Sequence, residues 1–220
     1  MQLQKQPFTL LLFLCMIAML SGCGDETLSN CNAGMETSVY LVSSDCRPLT
    51  WGQAIPISLF YGSTLSSDGQ FAIREAVKTW EEQTGLHLFE IMGTYQEYPG
   101  IENNQSINLI SVRPSSDPIW GTAGNKEPAK TVYYYRDYLV NSDVYFNTSF
   151  KFSIQNEPQT YDLISVALHE LGHVLGLDHD NDISSGVSVM NSTIFVGQQR
   201  RTLSPRDIER IQALYGYTSN

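Results

Sequence analysis

Strand-like runs and one amphipathic helix through the first two-thirds of the chain, followed by two more helices, predict an α+β domain. The chain has 220 residues, 42% of them hydrophobic, enough to bury one sizeable core and not two comfortable ones. One folded domain, residues 51–220, is therefore expected behind two leading segments, 1–22 and 23–50.

The elements follow in order. Ala54 to Tyr61 (AIPISLFY) reads as a strand. After the start signal Ser66-Ser67-Asp68, the apolar positions Ala72, Ile73, Ala76, Val77 and Trp80 keep a helical period as far as Thr84-Gly85. Alternation in LHLFEI suits a strand with His87 on its polar face. Further strands are expected at Ser106 to Val112, Thr131 to Arg136 (TVYYYR) and Asp143 to Asn147 (DVYFN). The tyrosine run 133–135 is read as strand propensity and packing rather than a stacking platform. Between these strands PSSDPIWGTAGNKEPAK, rich in Pro and Gly, is a loop. A helix is expected from Asp162 to Leu175, and Ser204-Pro205-Arg206-Asp207 opens another that buries Ile208, Ile211 and Leu214.

Lys5 followed by the apolar run Phe8 to Leu20 reads as a secretory signal, too short to span a bilayer as a mature helix. Leu20-Ser21-Gly22-Cys23 resembles the bacterial lipobox, in which Cys23 is acylated and becomes the first mature residue; an ordinary signal with a cysteine there by accident is the alternative. The resemblance implies a domain anchored by lipid in a bacterial cell envelope, at the outer membrane or cell surface; the protein is expected to be a monomer. Without residues 1–22 the chain has 12 basic and 23 acidic residues, a formal charge of −11. Phosphate backbones and anionic headgroups repel such a surface, so no nucleic-acid partner is expected and membrane attachment falls to the lipid. Residues 24–50, polar and without periodicity, read as a tether or short prosegment. Cys31 and Cys46 remain as a pair in an oxidising compartment: a disulfide is one reading, and Cys46 as a latency ligand for a metal is the other.

Three of the four histidines fall in HELGHVLGLDHD, His169 to Asp180. On a helix His169 and His173 lie about 40° apart around the axis, one turn displaced, so both can bind one ion. Glu170 projects at an adjacent angle, beside such an ion rather than on it. Six further residues of helix would carry His179 through about 600° and about 9 Å, onto another face. The helix must therefore break, and Gly176 stands where a left-handed residue would turn the chain back. Three imidazoles with one open position are the donor set of a catalytic zinc: the metal lowers the pKa of a bound water, Glu170 takes its proton, and a polarised carbonyl is attacked.

HELGHVLGLDH has the form HExxHxxGxxH and resembles the metzincin zinc endopeptidases. Ser188-Val189-Met190-Asn191, eleven residues after His179, resembles their Met-turn, with Met190 as an apolar floor under the metal. Within the metzincins the chain looks most like the matrixins from about Trp51 to Gly216, through WEEQTGL, DVYFN and LSPRDIERIQALYG. The resemblance implies a twisted mixed sheet with long helices, an active-site helix and a Met-turn. It also implies a cleft in which a protein or peptide substrate lies along an edge strand, for which TVYYYR is the candidate, with NSTIFVG walling the pocket beside the zinc. Asp180 follows the third histidine where matrixins usually have Ser or Thr; it is read either as support for that ligand or as a solvated acid. Many matrixins hold a second zinc through histidines before the edge strand, and residues 113–136 contain none. Ca2+ stays open, with Asp117, Asp137 and Asp143 as available acids. The matrixin cysteine switch is matched poorly by SDCRP, which leaves Cys46, Asp45 or neither as a source of latency. The reading is a zinc-dependent endopeptidase of extracellular or envelope proteins; the alternative is a metal-containing surface protein that binds without cleaving, and Glu170 argues against it.

Overall fold

The computed structural model describes residues 39–97, 107–123, 127–155 and 157–216. The signal segment, Cys23 and Cys31 lie outside them.

Strand β1 (Ile57–Gly62) begins after Pro56, which has no N–H to give a ladder. Helix α1 (Ser67–Thr84) is capped by Ser66, whose side chain accepts from the Gly69 N–H, and it ends at Gly85. Its buried stripe of Ala72, Ile73, Ala76 and Trp80 follows the expected period. Strand β2 (Phe89–Tyr95) starts later than expected. His87 precedes it, exposed, with Nδ1 3.1 Å from Glu81 Oε1, an oxygen that also accepts from the Leu88 and Phe89 N–H groups.

β3 (Asn108–Arg113), β4 (Ala129–Tyr135) and β5 (Leu139–Asn147) complete a five-stranded sheet in the order β2-β1-β3-β5-β4. All pairings are parallel except β4 with β5, so the sheet is mixed and β4 is an edge. β5 begins four residues before the expected Asp143 because Asn141 and Ser142, polar and buried, are matched by the Asn108 side chain. A short ladder of β6 (Phe152–Ser153) and β7 (Tyr161–Asp162) was not anticipated, since two residues carry no readable period.

Helix α2 (Leu163–Val174) takes Asp162 as its N-cap, and every residue in it except His169 is buried. It is apolar nearly all round because it lies between α1 and the sheet: the fully buried Trp80 donates from Nε1 to the Leu168 carbonyl at 3.0 Å, and β4 meets it through Thr131 and Glu170. Thr131 faces α2 and sits opposite Val144. By strand alternation Asp143 and Tyr145 therefore face the other side, where the Tyr145 hydroxyl donates to Asp143 Oδ2 at 3.1 Å. There the Arg113 guanidinium lies 4.8 Å over the Tyr145 ring and pairs with Glu97 at 2.7 Å and Asp117 at 3.6 Å. Helix α3 (Pro205–Tyr215) opens with a full capping box between Ser204 and Asp207.

The boundary expected near Trp51 moves upstream. Val39 to Thr50 pack into the domain, with Leu41 6% exposed and Leu49 fully buried. The Leu41 N–H donates to the Gly176 carbonyl at 2.9 Å, and the Asp178 N–H to that of Val39 at 3.0 Å. Only Val39, Leu41 and Leu49 of this stretch enter the core, too few and too unevenly spaced to show as a period.

Candidate metal centre and cleft

Helix α2 supplies His169, Glu170 and His173, and the loop after it brings His179 back, so that one ligand atom from each imidazole lies within 4.8 Å of the others. The turn that achieves this depends on Gly176. Its φ is +92°, and a Cβ there would collide with the Leu49 carbonyl oxygen. The Gly176 N–H donates to the His173 carbonyl and the Leu177 N–H to that of Gly172, each at 3.0 Å, so the reversal satisfies the helix end.

Ring orientation fixes the protonation pattern. His169 Nδ1 is 2.9 Å from the Val189 carbonyl oxygen, and His173 Nδ1 is 2.8 Å from that of Leu177. A carbonyl only accepts, so each Nδ1 carries the hydrogen and each neutral ring presents a bare Nε2 lone pair. Burial, then the neighbouring His179, lowers His169 to about 4, and burial drives His173 well below the ordinary histidine value. Burial also lowers His179. The two Nε2 atoms lie 3.1 Å apart. Two facing lone pairs repel unless a cation sits between them. Nitrogens about 2.1 Å from a tetrahedral zinc stand about 3.4 Å from one another, close to the separation here. The donor set fits zinc.

Glu170 is buried, and burial raises its carboxyl to about 7 against the opposing hydrogen bond from Thr131. Thr131 Oγ1 stands 2.6 Å from Glu170 Oε2. Under the histidines Met190 is fully buried in a turn closed by the Asn191 N–H to the Ser188 carbonyl at 3.1 Å. A Cβ at Gly172 would run into the Met190 sulfur and press on Trp80, so the helix must be bare there for the methionine to fit.

Asp180 is 2% exposed rather than solvated. Its N–H donates to the Met190 carbonyl at 2.9 Å, and its Oδ2 lies 2.9 Å from Arg206 Nε and 3.5 Å from Arg210 Nη2. Asp207 binds the same turn, accepting from the Val189 N–H at 3.0 Å and the Ser188 hydroxyl at 2.5 Å while pairing with Arg210 at 2.6 Å. Helix α3 thus anchors both the third histidine's segment and the floor of the site.

β4 is the edge strand nearest α2, and residues 191–200 follow the Met190 turn. That loop is tied to the segment before β7 through the Gly197 N–H to the Thr160 carbonyl at 2.9 Å, and to α2 through the Arg200 N–H to Ser165 Oγ at 2.7 Å. Of the two latency candidates, Cys46 is disulfide-bonded, with its partner outside the described residues, and so has no free thiolate to offer. Asp45 is held by Arg47 at 2.7 Å and by the Ser43 hydroxyl at 2.5 Å. Among the described residues the three histidines are the one group of this kind able to hold a metal; Asp117, Asp137 and Asp143 do not form another.

Thr131, Asp207 and Arg200 escaped the sequence reading. A threonine in a strand reads as β propensity, and Arg200 carries no local signal. Asp207 was visible as a helix-start residue, but its hold on the Met190 turn spans 18 residues and leaves no periodic trace.

Residues 61–216 match the Matrixin family. The chain is 28% identical over 149 residues to Matrix metalloproteinase-16 of Homo sapiens, an alignment covering 66% of this chain and 23% of that protein. It is 37% identical over 81 residues to the interstitial collagenase of Oryctolagus cuniculus, covering 37% of this chain and 16% of the relative. With Metalloendoproteinase 2-MMP of Arabidopsis thaliana it shares 48% identity over 59 residues, 27% of this chain and 15% of that protein. The matches thus span less than a quarter of these relatives' length.

Proposed function

The chain belongs to the matrixin family, and from that premise we propose that it is a zinc-dependent endopeptidase acting on extracellular or envelope proteins. The observation that carries the reading is the pair of bare Nε2 atoms of His169 and His173, 3.1 Å apart, with His179 completing the group.

Zinc, when bound by the three imidazoles, supplies a Lewis acid that polarises a carbonyl oxygen and acidifies water. The chain's own residues do the rest. The Val189 and Leu177 carbonyls fix the tautomers of His169 and His173 and aim both Nε2 atoms at one point. Thr131 holds Glu170 through Oε2 and leaves Oε1 to take a proton from water and hand it to the departing amine. The substrate backbone pairs with the open edge of β4, which aligns the scissile bond beside the histidines. Anchoring by lipid at Cys23 belongs to the same proposal and rests on Leu20-Ser21-Gly22-Cys23 alone; mass analysis of the mature N-terminus checks it.

The decisive experiment compares the protein with its Glu170→Ala variant, each loaded with one equivalent of zinc, on an unfolded protein substrate. Cleavage by the parent, lost in the variant at equal zinc content and lost on chelation, is expected. Equal cleavage by both would end the assignment of Glu170.

A further inference from the structure

We propose that Arg200 makes the pocket beside the metal centre selective for an acidic side chain, Glu or Asp, on the substrate residue that follows the scissile bond. The proposal rests on the endopeptidase reading for its substrate and on independent geometry for its chemistry.

Ser165 lies one turn before His169 on the same face of α2. The loop that follows Met190 returns to that face at Arg200, whose N–H donates to Ser165 Oγ at 2.7 Å. From there the Arg200 side chain reaches back across the loop, with Nη2 3.0 Å from the Thr193 carbonyl oxygen and Nη1 3.4 Å from that of Asn191. Backbone and side chain of Arg200 together link α2, one turn before His169, to residues 191 and 193 of the loop after Met190.

The cation is not neutralised there. Of the buried and half-buried arginines among the described residues, Arg113, Arg201, Arg206 and Arg210 each have a carboxylate within 4.0 Å, and Arg200 has none. The acid that acts on it from a distance, Asp207, is already bound by Arg210, Ser188 and the Val189 N–H. Carbonyl oxygens engage two of the five N–H groups of a guanidinium and leave three. Burial makes the charged form of Arg200 less favourable. In a chain with a formal charge of −10, a partly desolvated cation without an acid is a site waiting for an anion. A carboxylate on a side chain reaching the pocket floor supplies it, with planar geometry that suits the fork.

The test uses the full chain loaded with zinc and peptides that differ only in the residue after the scissile bond: Glu, its uncharged isostere Gln, or Leu. The parent is expected to favour Glu over Gln in kcat/KM by about tenfold. Arg200→Met should bring that ratio to about one, and Arg200→Lys should keep a preference of about threefold, both at parental zinc content and melting temperature. Dissociation constants of the same peptides, labelled and measured by anisotropy on zinc-loaded Glu170→Ala protein with and without Arg200→Met, give the discrimination independently of turnover. A parent that cleaves none of the peptides counts against the endopeptidase reading, while the binding ratio still decides the role of Arg200. Equal binding of Glu and Gln peptides, a ratio that survives Arg200→Met, or a lysine variant with no preference overturns the proposal.

Discussion

Thr131 on the edge strand β4 holds Glu170 on helix α2 through a hydrogen bond of 2.6 Å, so the sheet edge and the carboxylate that follows His169 are mechanically joined. Both side chains are buried, which makes the bond costly to lose and the carboxylate sensitive to its direction. Thr131→Val keeps the shape and removes the donor. We expect kcat to fall about tenfold with KM and zinc content unchanged, since proton transfer by a positioned group is worth 100-fold or more in general, roughly, and only its alignment is lost. Thr131→Ser should restore most of it. A valine variant with parental kcat would show that the hydroxyl only fills space.

Truncation to residue 51 removes the contacts that hold the turn leading to His179. Leu41 and Leu49 leave the core, at about 1.5–3 kcal/mol each, and the Gly176 carbonyl and Asp178 N–H lose their partners beside His179. A fragment of residues 51–220 is expected to melt well below residues 24–220 and to bind zinc more weakly. Equal melting curves and equal zinc affinity would return Val39 to Thr50 to the status of a detachable leader.

Much of this was readable before any coordinates. The three helices and the edge strand each carry a local signature: Ser66 and Ser204 as caps, the 3.6-residue stripe of α1, the apolar run of α2, the β-branched and aromatic run of β4. The spacing of His169, His173, Gly176 and His179 dictated a helix and then a break, and φ of +92° at Gly176 supplies it. What stayed hidden depends on partners far along the chain. Asn141 and Ser142 look like turn residues until Asn108 pairs with them, and Leu49 looks like part of a tether until its carbonyl meets Gly176. Asp180 stood between two readings, and only the approach of Arg206 and Arg210 from α3 decides its burial.

The N-terminus of α2 should make stability fall in acid. Burial alone would push the Asp162 carboxyl up, but the Arg201 guanidinium and the Ser165 hydroxyl and N–H outweigh it and hold the pKa below its ordinary value. A depressed carboxyl contributes stability that is fully present above the unfolded value of about 3.9 and is lost as pH falls from there through the folded value. The pH dependence of the unfolding free energy below about 4 should be steeper for the parent than for Asp162→Asn, which removes this titration. Parallel curves for the two proteins would assign the acid sensitivity elsewhere.

Gly172 sets helix propensity against packing, and packing should win. Alanine in place of glycine inside a helix ordinarily stabilises by about 1 kcal/mol. At this position the added methyl would enter the space of the Met190 sulfur and touch Trp80, and both side chains are fully buried with nowhere to go. Overpacking of that kind costs about 1–3 kcal/mol, so Gly172→Ala should lower the melting temperature. The strain also falls on Val189, next to Met190, whose carbonyl orients His169, so zinc affinity should drop with stability rather than stay constant. Denaturation and a competitive zinc titration on the same variant measure both. A stabilised variant with unchanged zinc affinity would mean that the methionine floor yields freely and does not position the site.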